Sequence, residues 1–236
     1  MSEKKRSKYI KTFFLIALLL LPASVYFILT LGKHNMLSLP FYGHKEVEVN
    51  IVDGKQVIDT IYHTIQDFSF VNQHGKTVTQ MDFEDKIYVA DFFFTTCPGI
   101  CPKMTAGMLR VQEKLKDYPQ VMFLSHTVDP EKDTVEALAA YAQQAHASDR
   151  WHFVTGDREE IYKQGVYSYL VSTQEDALAP GGFLHSELFV LVDKKRRIRG
   201  FYDGTNLTEI NSLIDAIKVL IAQDMVPRKS KKKEES

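Results

Sequence analysis

Cysteine is nearly absent from this chain, with two in 236 residues. Two thiols fall short of the four protein ligands that a structural zinc site normally takes. They can form one bridge at most. Net charge is also scarce, at -1, with 29 Lys and Arg against 30 Asp and Glu. No global field therefore argues for a nucleic-acid partner. Internal repeats are absent, and biased composition is confined to residues 228–236, a charged tail without an apolar face that is expected to stay disordered. The remainder is 44% apolar and 25% charged, ordinary for a globular domain with one sizeable core.

An A-x-A-like cleavage site is missing from the N-terminal region as well. Residues 12–31 contain no charge and are rich in Phe, Leu, Ile and Ala. About twenty residues at a helical rise of about 1.5 Å span a hydrocarbon core of about 30 Å. Lys4, Lys5, Arg6, Lys8 and Lys11 precede the run, which keeps the N-terminus in the cytoplasm and exports the rest of the chain. The expectation is one uncleaved anchor in the cell membrane. Pro22-Ala23-Ser24 supplies small residues and keeps a cleaved signal peptide open as the alternative. The chain then divides into a cytoplasmic N-terminus at 1–11, an anchor at 12–31, a spacer at 32–46, a folded domain at 47–224 and the tail at 225–236.

Within the domain, residues 47–52 alternate and turn at Asp53-Gly54 toward Val57-Ile58, a hairpin pattern. Residues 68–71 and 77–79 flank a second turn, which contains His74. Residues 86–96 form a strand apolar on both faces, interrupted by Asp91. Met104, Met108, Val111 and Leu115 make one buried stripe of a helix over 102–116. A strand at 121–128 contains His126. Asp133 with Glu136 resembles a helix-start pattern, and the helix runs to about His146. Residues 151–154, with His152, form a strand. Asp157 and Glu160 open a helix toward Tyr169. After a loop at 177–183 come strands at 184–193 and 197–202, then an amphipathic helix through Leu207, Ile210, Ile214, Ile217 and Ile221. This alternation predicts an α/β fold with one mixed central sheet and helices on both faces.

Both cysteines stand at one strand-to-helix corner, Cys97 and Cys101. At helical spacing their Cα atoms lie about 6 Å apart, close enough for a disulfide and close enough for two sulfurs to share one metal ion. The helix start favours thiolate, the form that metal binding and disulfide exchange both require. Pro98 and Pro102 fix the local backbone. Two soft thiolates select a soft ion, with Cu(I) leading, and an imidazole as third ligand would also let the site hold Cu(II). His185, after the Pro180-Gly181-Gly182 loop, is the best-placed histidine, although a lone histidine is more often a packing or surface residue. His126 and His152 read as packing residues. Asp91, six residues before Cys97, is either an assisting group or a structural hydrogen-bond acceptor.

The stretch Phe92-Phe93-Phe94-Thr95-Thr96-Cys97-Pro98-Gly99-Ile100-Cys101-Pro102-Lys103-Met104 resembles the signature of the SCO/SenC copper chaperones. Thr127-Val128-Asp129-Pro130-Glu131-Lys132-Asp133-Thr134, Trp151-His152-Phe153-Val154-Thr155-Gly156 and Leu184-His185-Ser186 are similar to later family blocks, in the right order. The resemblance implies a thioredoxin-like mixed sheet flanked by helices, with an added hairpin, behind one N-terminal transmembrane helix. It implies copper binding by Cys97, Cys101 and His185. It further implies copper delivery to, or thiol reduction at, the binuclear copper site of cytochrome c oxidase, with a thiol reductant as second partner. Thr95-Thr96, in place of a residue such as Trp before Cys97, separates the chain from ordinary thioredoxins. Asp91 matches the thioredoxin spacing of an acidic residue. A thiol–disulfide oxidoreductase in which Cys97 and Cys101 are catalytic is the alternative, and a docking module with bridged cysteines is the third reading.

Overall fold

The computed structural model describes residues 38–52, 55–171 and 187–225, with positions 17, 18, 20, 21 and 24. Those five N-terminal positions are helical. Among the described residues no helix is long and apolar enough to cross a membrane. Most of the expected anchor, the 177–183 loop, His185 and the tail beyond Met225 lie outside the described residues. The chain divides into two compact units, Met1–Ser38 and Leu39–Ser236. The second unit holds the sheet and its helices.

The unbroken apolar run before the cysteines folds as β5 (Ile87–Phe93), buried at every position, as a strand covered on both faces must be. It pairs in parallel with β6 (Val121–Thr127), which pairs in parallel with β7 (Trp151–Thr155). Parallel neighbours need a crossover. The helices α1 (Cys101–Lys114) and α2 (Val135–Gln144) supply the two crossovers. On the other side β5 pairs antiparallel with β8 (Leu188–Val192), and β8 with β9 (Ile198–Asp203). The strands β3 (Ser69–Asn72) and β4 (Thr77–Thr79) complete the order β4-β3-β7-β6-β5-β8-β9. The helix α3 (Arg158–Lys163) runs into a π-helical turn, Gln164–Ser168, and α4 (Leu207–Met225) closes the domain.

Side-chain alternation divides the core into two halves. Met104, Met108, Val111 and Leu115 of α1 are all buried, so the expected stripe is the core face of that helix. Gly107 lets α1 approach the start of α4, where a Cβ would stand 2.5 Å from the Gly204 carbonyl oxygen. On the opposite face of the sheet His126 stacks on Phe92 at 4.8 Å, with Phe68, Phe70 and Tyr169 presented edge-on. His126 is thus a packing residue, as its place in an apolar strand suggests. The His74 turn and the second hairpin also match expectation.

The strands β1 (Lys45–Val52) and β2 (Lys55–Tyr62) form a separate two-stranded sheet, with Val52 opposite Lys55. Residues 39–41, within the expected spacer, are fastened to the β8–β9 turn. Arg199 donates to the carbonyls of Leu39 at 2.7 Å and Pro40 at 3.0 Å while pairing with Asp193 at 2.9 Å. The Phe41 ring lies beneath the Arg197 and Arg199 guanidinium groups.

Three local readings shift. The strand expected over 86–96 ends at Phe93 and the helix begins at Cys101, so Cys97 lies in the turn between them. Asp133 does not start a helix. Thr134 caps α2, its hydroxyl accepting from the Ala137 amide, because Asp133 is taken by partners elsewhere in the fold. The helix expected from 157 to 169 keeps its Asp157 cap but changes to π-helical pitch after Lys163.

Candidate metal and thiol site

The corner sits at the carboxyl ends of β5 and β6, where open α/β sheets place their ligands. The Cys97 amide donates to the Phe94 carbonyl at 3.2 Å, closing a turn. The Lys103 and Met104 amides then bond back to Ile100, starting α1. Cys97 is half-buried and Cys101 buried, both as free thiols.

The two sulfurs differ sharply. Burial alone would raise the Cys97 thiol. Hydrogen bonds from the Cys101 thiol and from the amides of Cys101, Gly99 and Ile100 outweigh it and hold Cys97 below the ordinary thiol range. Cys101 moves the other way, pushed up to about 12 by burial first and then by its bond to the Cys97 sulfur. Of the two reduced sulfurs, Cys97 therefore gives up its proton the more readily and Cys101 retains its own.

A buried carboxylate holds the approach to Cys97. Asp133 is fully buried. It accepts from the Thr95 amide at 3.1 Å, from the Thr95 hydroxyl at 2.5 Å and from the Thr127 hydroxyl. It thus ties the residues before Cys97 to the end of β6 and the start of α2. Tyr141 closes one side of the corner. Its ring packs on Phe93 and Phe153, and its hydroxyl meets that of Thr105 at 2.6 Å. Burial pushes its phenol up to about 12; the Thr105 bond opposes this, while the charges of Cys101, Asp91 and Cys97 add to it. Composition and spacing give no signal for Tyr141. Asp133 was visible only as a family-block residue with an apparent capping role.

Asp91 lies in β5 opposite Ser125, whose hydroxyl donates to it at 2.5 Å. The Trp151 indole donates in turn to Ser125 at 2.9 Å. Burial pushes the Asp91 carboxyl up to about 7, against the lowering effect of Ser125. His126 has no hydrogen-bond partner on either ring nitrogen among the described residues, and burial pushes its pKa down to about 3. His152 is half-buried, with Nδ1 3.3 Å from the Asn72 side-chain amide. Among the described residues no three His, Cys, Asp or Glu side chains converge to hold a metal. His185, the expected third ligand, is outside them.

A cleft of about 470 Å³ opens beside Ile87, at the far end of β5 from the cysteines. Its Arg197 and Arg199 are both paired with Asp193, so it is not the thiol site.

The family model SCO1/SenC matches residues 59–222. The chain belongs to the SCO1/SenC family. A SCO1 protein homolog of Bacillus subtilis (strain 168) is 33% identical over 171 residues, covering 70% of this chain and 86% of that protein. The solved structure of BsSco, described with a disulfide switch and as a member of the Sco family of cytochrome c oxidase assembly proteins, superimposes with a TM-score of 0.59. It is 31% identical, over 67% of this chain and 94% of that one. ScoI of Bradyrhizobium japonicum, solved with copper bound, matches with a TM-score of 0.55 at 26% identity, over 66% and 99% of the two chains. The thioredoxin-like mixed sheet with an added two-stranded hairpin is thus the Sco architecture.

The unequal thiols can be told apart chemically. Alkylation of the reduced protein with limiting iodoacetamide near neutral pH should modify Cys97 before Cys101, read by peptide mass; preferential labelling of Cys101 would contradict the assignment. Asp91 is open to a separate measurement, because it titrates at 3.8 in the unfolded chain and at about 7 in the fold. Between those values the native state keeps a proton that the unfolded chain has lost. Its contribution to stability is therefore complete below 3.8 and is lost as pH rises through about 7. His126 has the opposite sign, with its contribution complete above 6.5 and lost as pH falls toward about 3. Asp91→Asn should gain on wild type by on the order of a few kcal/mol between about pH 4 and pH 8, read from urea midpoints; an equal difference at both ends would rule Asp91 out.

Proposed function

We propose that this chain is a membrane-anchored, copper-binding assembly factor that carries copper to, or reduces the thiols of, the binuclear copper site of cytochrome c oxidase. The observation that carries the reading is the pair of free sulfurs at the start of α1, one below and one above the ordinary thiol range. Membership of the SCO1/SenC family supports it. So does the copper bound in Bradyrhizobium japonicum ScoI. Copper is here a cargo. Cys97 and Cys101 present two soft donors suited to Cu(I), and His185 is the proposed third ligand, suited to Cu(II) as well. The anchor is residues 12–31, with 1–11 in the cytoplasm, the domain and the charged tail on the extracytoplasmic side, and a thiol reductant as partner.

The reading is tested by metal analysis of the reduced protein after copper loading and gel filtration. Wild type is expected to retain about one copper, the Cys97→Ser/Cys101→Ser variant none, and His185→Ala to lose copper to a competing chelator more readily. Full copper retention by the double variant would overturn the reading. Unchanged competition in His185→Ala would remove the third ligand alone.

Asp91 favours thiol–disulfide exchange as a second reading. In that reaction the Cys97 thiolate attacks a client disulfide, forming one S–S bond and releasing one client sulfur as thiolate. Cys101 then gives up its proton and attacks the Cys97 sulfur of the mixed disulfide, displacing the second client sulfur and leaving a Cys97–Cys101 disulfide and a client dithiol. A buried carboxyl at about 7 suits the acceptor of that proton. Turnover on a disulfide substrate should fall at least tenfold in Asp91→Asn, with copper retention unchanged; equal turnover would remove Asp91 from the step.

A further inference from the structure

The β1–β2 hairpin carries side chains that the domain does not cover. Val47, Val49, Ile51 and Ile58 are 65%, 55%, 75% and 70% exposed. Val49 stands opposite Ile58, Val47 opposite Thr60 and Ile51 opposite Gln56, and residues at alternate positions and directly across the ladder share a face. The hairpin thus gathers four exposed aliphatic side chains on one side, with Thr60 and Gln56 as their uncharged polar neighbours. Glu48 opposes Asp59 on the other side, with Glu46 opposite Ile61 toward the base and the Asn50–Val57 and Val52–Lys55 pairs toward the tip. Like charges across a ladder repel unless water surrounds them, so that second side belongs in solvent. The apolar side contains no carboxylate, and its one cation among the described residues is Lys45, at the base over the Tyr62 ring.

We propose that the apolar side of the β1–β2 hairpin rests on the lipid bilayer that anchors the chain. The proposal depends on the anchored reading of residues 12–31. Chain length argues for this occupant. Residues 32–38 alone separate the apolar run from Leu39, whose carbonyl Arg199 holds. Fully extended they reach about 25 Å, and the hairpin begins six residues later, at Lys45. A tethered lipid surface therefore stays within reach at high effective concentration. A second copy of the chain fits less well, because four apolar side chains fall far short of the roughly 20–30 residues a side of a stable protein interface. Among the described residues no further strand covers the outer edges of β1 and β2, and hydrocarbon does not tolerate an open sheet edge, so the hairpin lies in the headgroup boundary rather than inserting. Lys45 meets lipid phosphate there, and Glu46, Glu48 and Asp59 face away. The β8–β9 turn that holds residues 39–41 is at the Tyr88 end of β5, opposite the cysteine corner.

The test uses the full chain reconstituted in phosphatidylcholine vesicles, with Val49→Trp on the apolar side and Glu48→Trp on the acidic side. Native Trp151 is 1% exposed and gives the same background in both. Lipid brominated near the headgroup end of its chains should quench Val49→Trp roughly twofold more than Glu48→Trp, and Ile58→Trp should repeat the result on the paired strand. Failure of the chain to float with the vesicles would overturn the anchored reading and this proposal with it. Flotation with equal quenching on both sides would overturn this proposal alone. In that case, access of Val49→Trp to aqueous iodide marks a side left for a protein partner, and protection together with a cross-linked dimer marks a second copy.

Discussion

A fully buried carboxylate, held by hydroxyl and amide donors, sets where the reactive sulfur stands. Asp133 reaches from the start of α2 across to Thr95 and Thr127. Unmade hydrogen bonds to such a group cost more than made ones contribute, so the loop carrying Thr95-Thr96-Cys97 has little freedom to drift from the end of β6. The cysteine corner depends on this restraint. Cys97 lies outside any regular element, and neither strand nor helix geometry alone would place it over the α1 N-terminus.

The asymmetry of the thiols is a result of that placement. One sulfur receives backbone donors and a neighbouring thiol proton and is half-open to solvent. The other is enclosed between α1 and the sheet and keeps its proton. The same corner is thereby suited to two chemistries, because a thiolate beside a protonated thiol can begin an exchange, and loss of the second proton turns the pair into a soft two-sulfur donor set. A redox role and a metal role need not be rivals in one SCO1/SenC protein. A formed Cys97–Cys101 bridge would leave no thiolate for a soft metal ion.

The far end of the domain obeys a different logic. There Asp193 is held below the ordinary carboxyl range, since its bonds from Arg197 and Arg199 outweigh the burial that would raise it. The same arginines hold the chain entering from the N-terminal side through the Leu39 and Pro40 carbonyls and the Phe41 ring. A buried ion pair stabilises little by itself; its value here is specificity, fixing one path for the entering chain. The hold on residues 39–41 thus lies at one end of β5 and the cysteine pair at the other.

Much of this could be read from residue order. Apolar runs of the right length with turn residues between them dictate strands and helices, and the α1 stripe of Met104, Met108, Val111 and Leu115 appears as a periodicity because burial on one helix face requires it. The cysteine pair was legible because two such residues at a strand-to-helix corner are chemically conspicuous. What residue order could not supply is every partnership between distant positions. Asp133 resembles a helix cap until Thr95 and Thr127 are brought against it, and Thr134 then caps in its place. Asp91 is ambiguous in sequence until Ser125 pairs with it and burial raises its carboxyl. Local pattern thus determined the elements and the sulfurs, because both are set by neighbours along the chain. The raised Asp91 and Cys101 groups, the restraint on Cys97 and the hold on residues 39–41 were decided by the tertiary structure, because burial and hydrogen bonding across tens of residues exist only once the sheet has assembled.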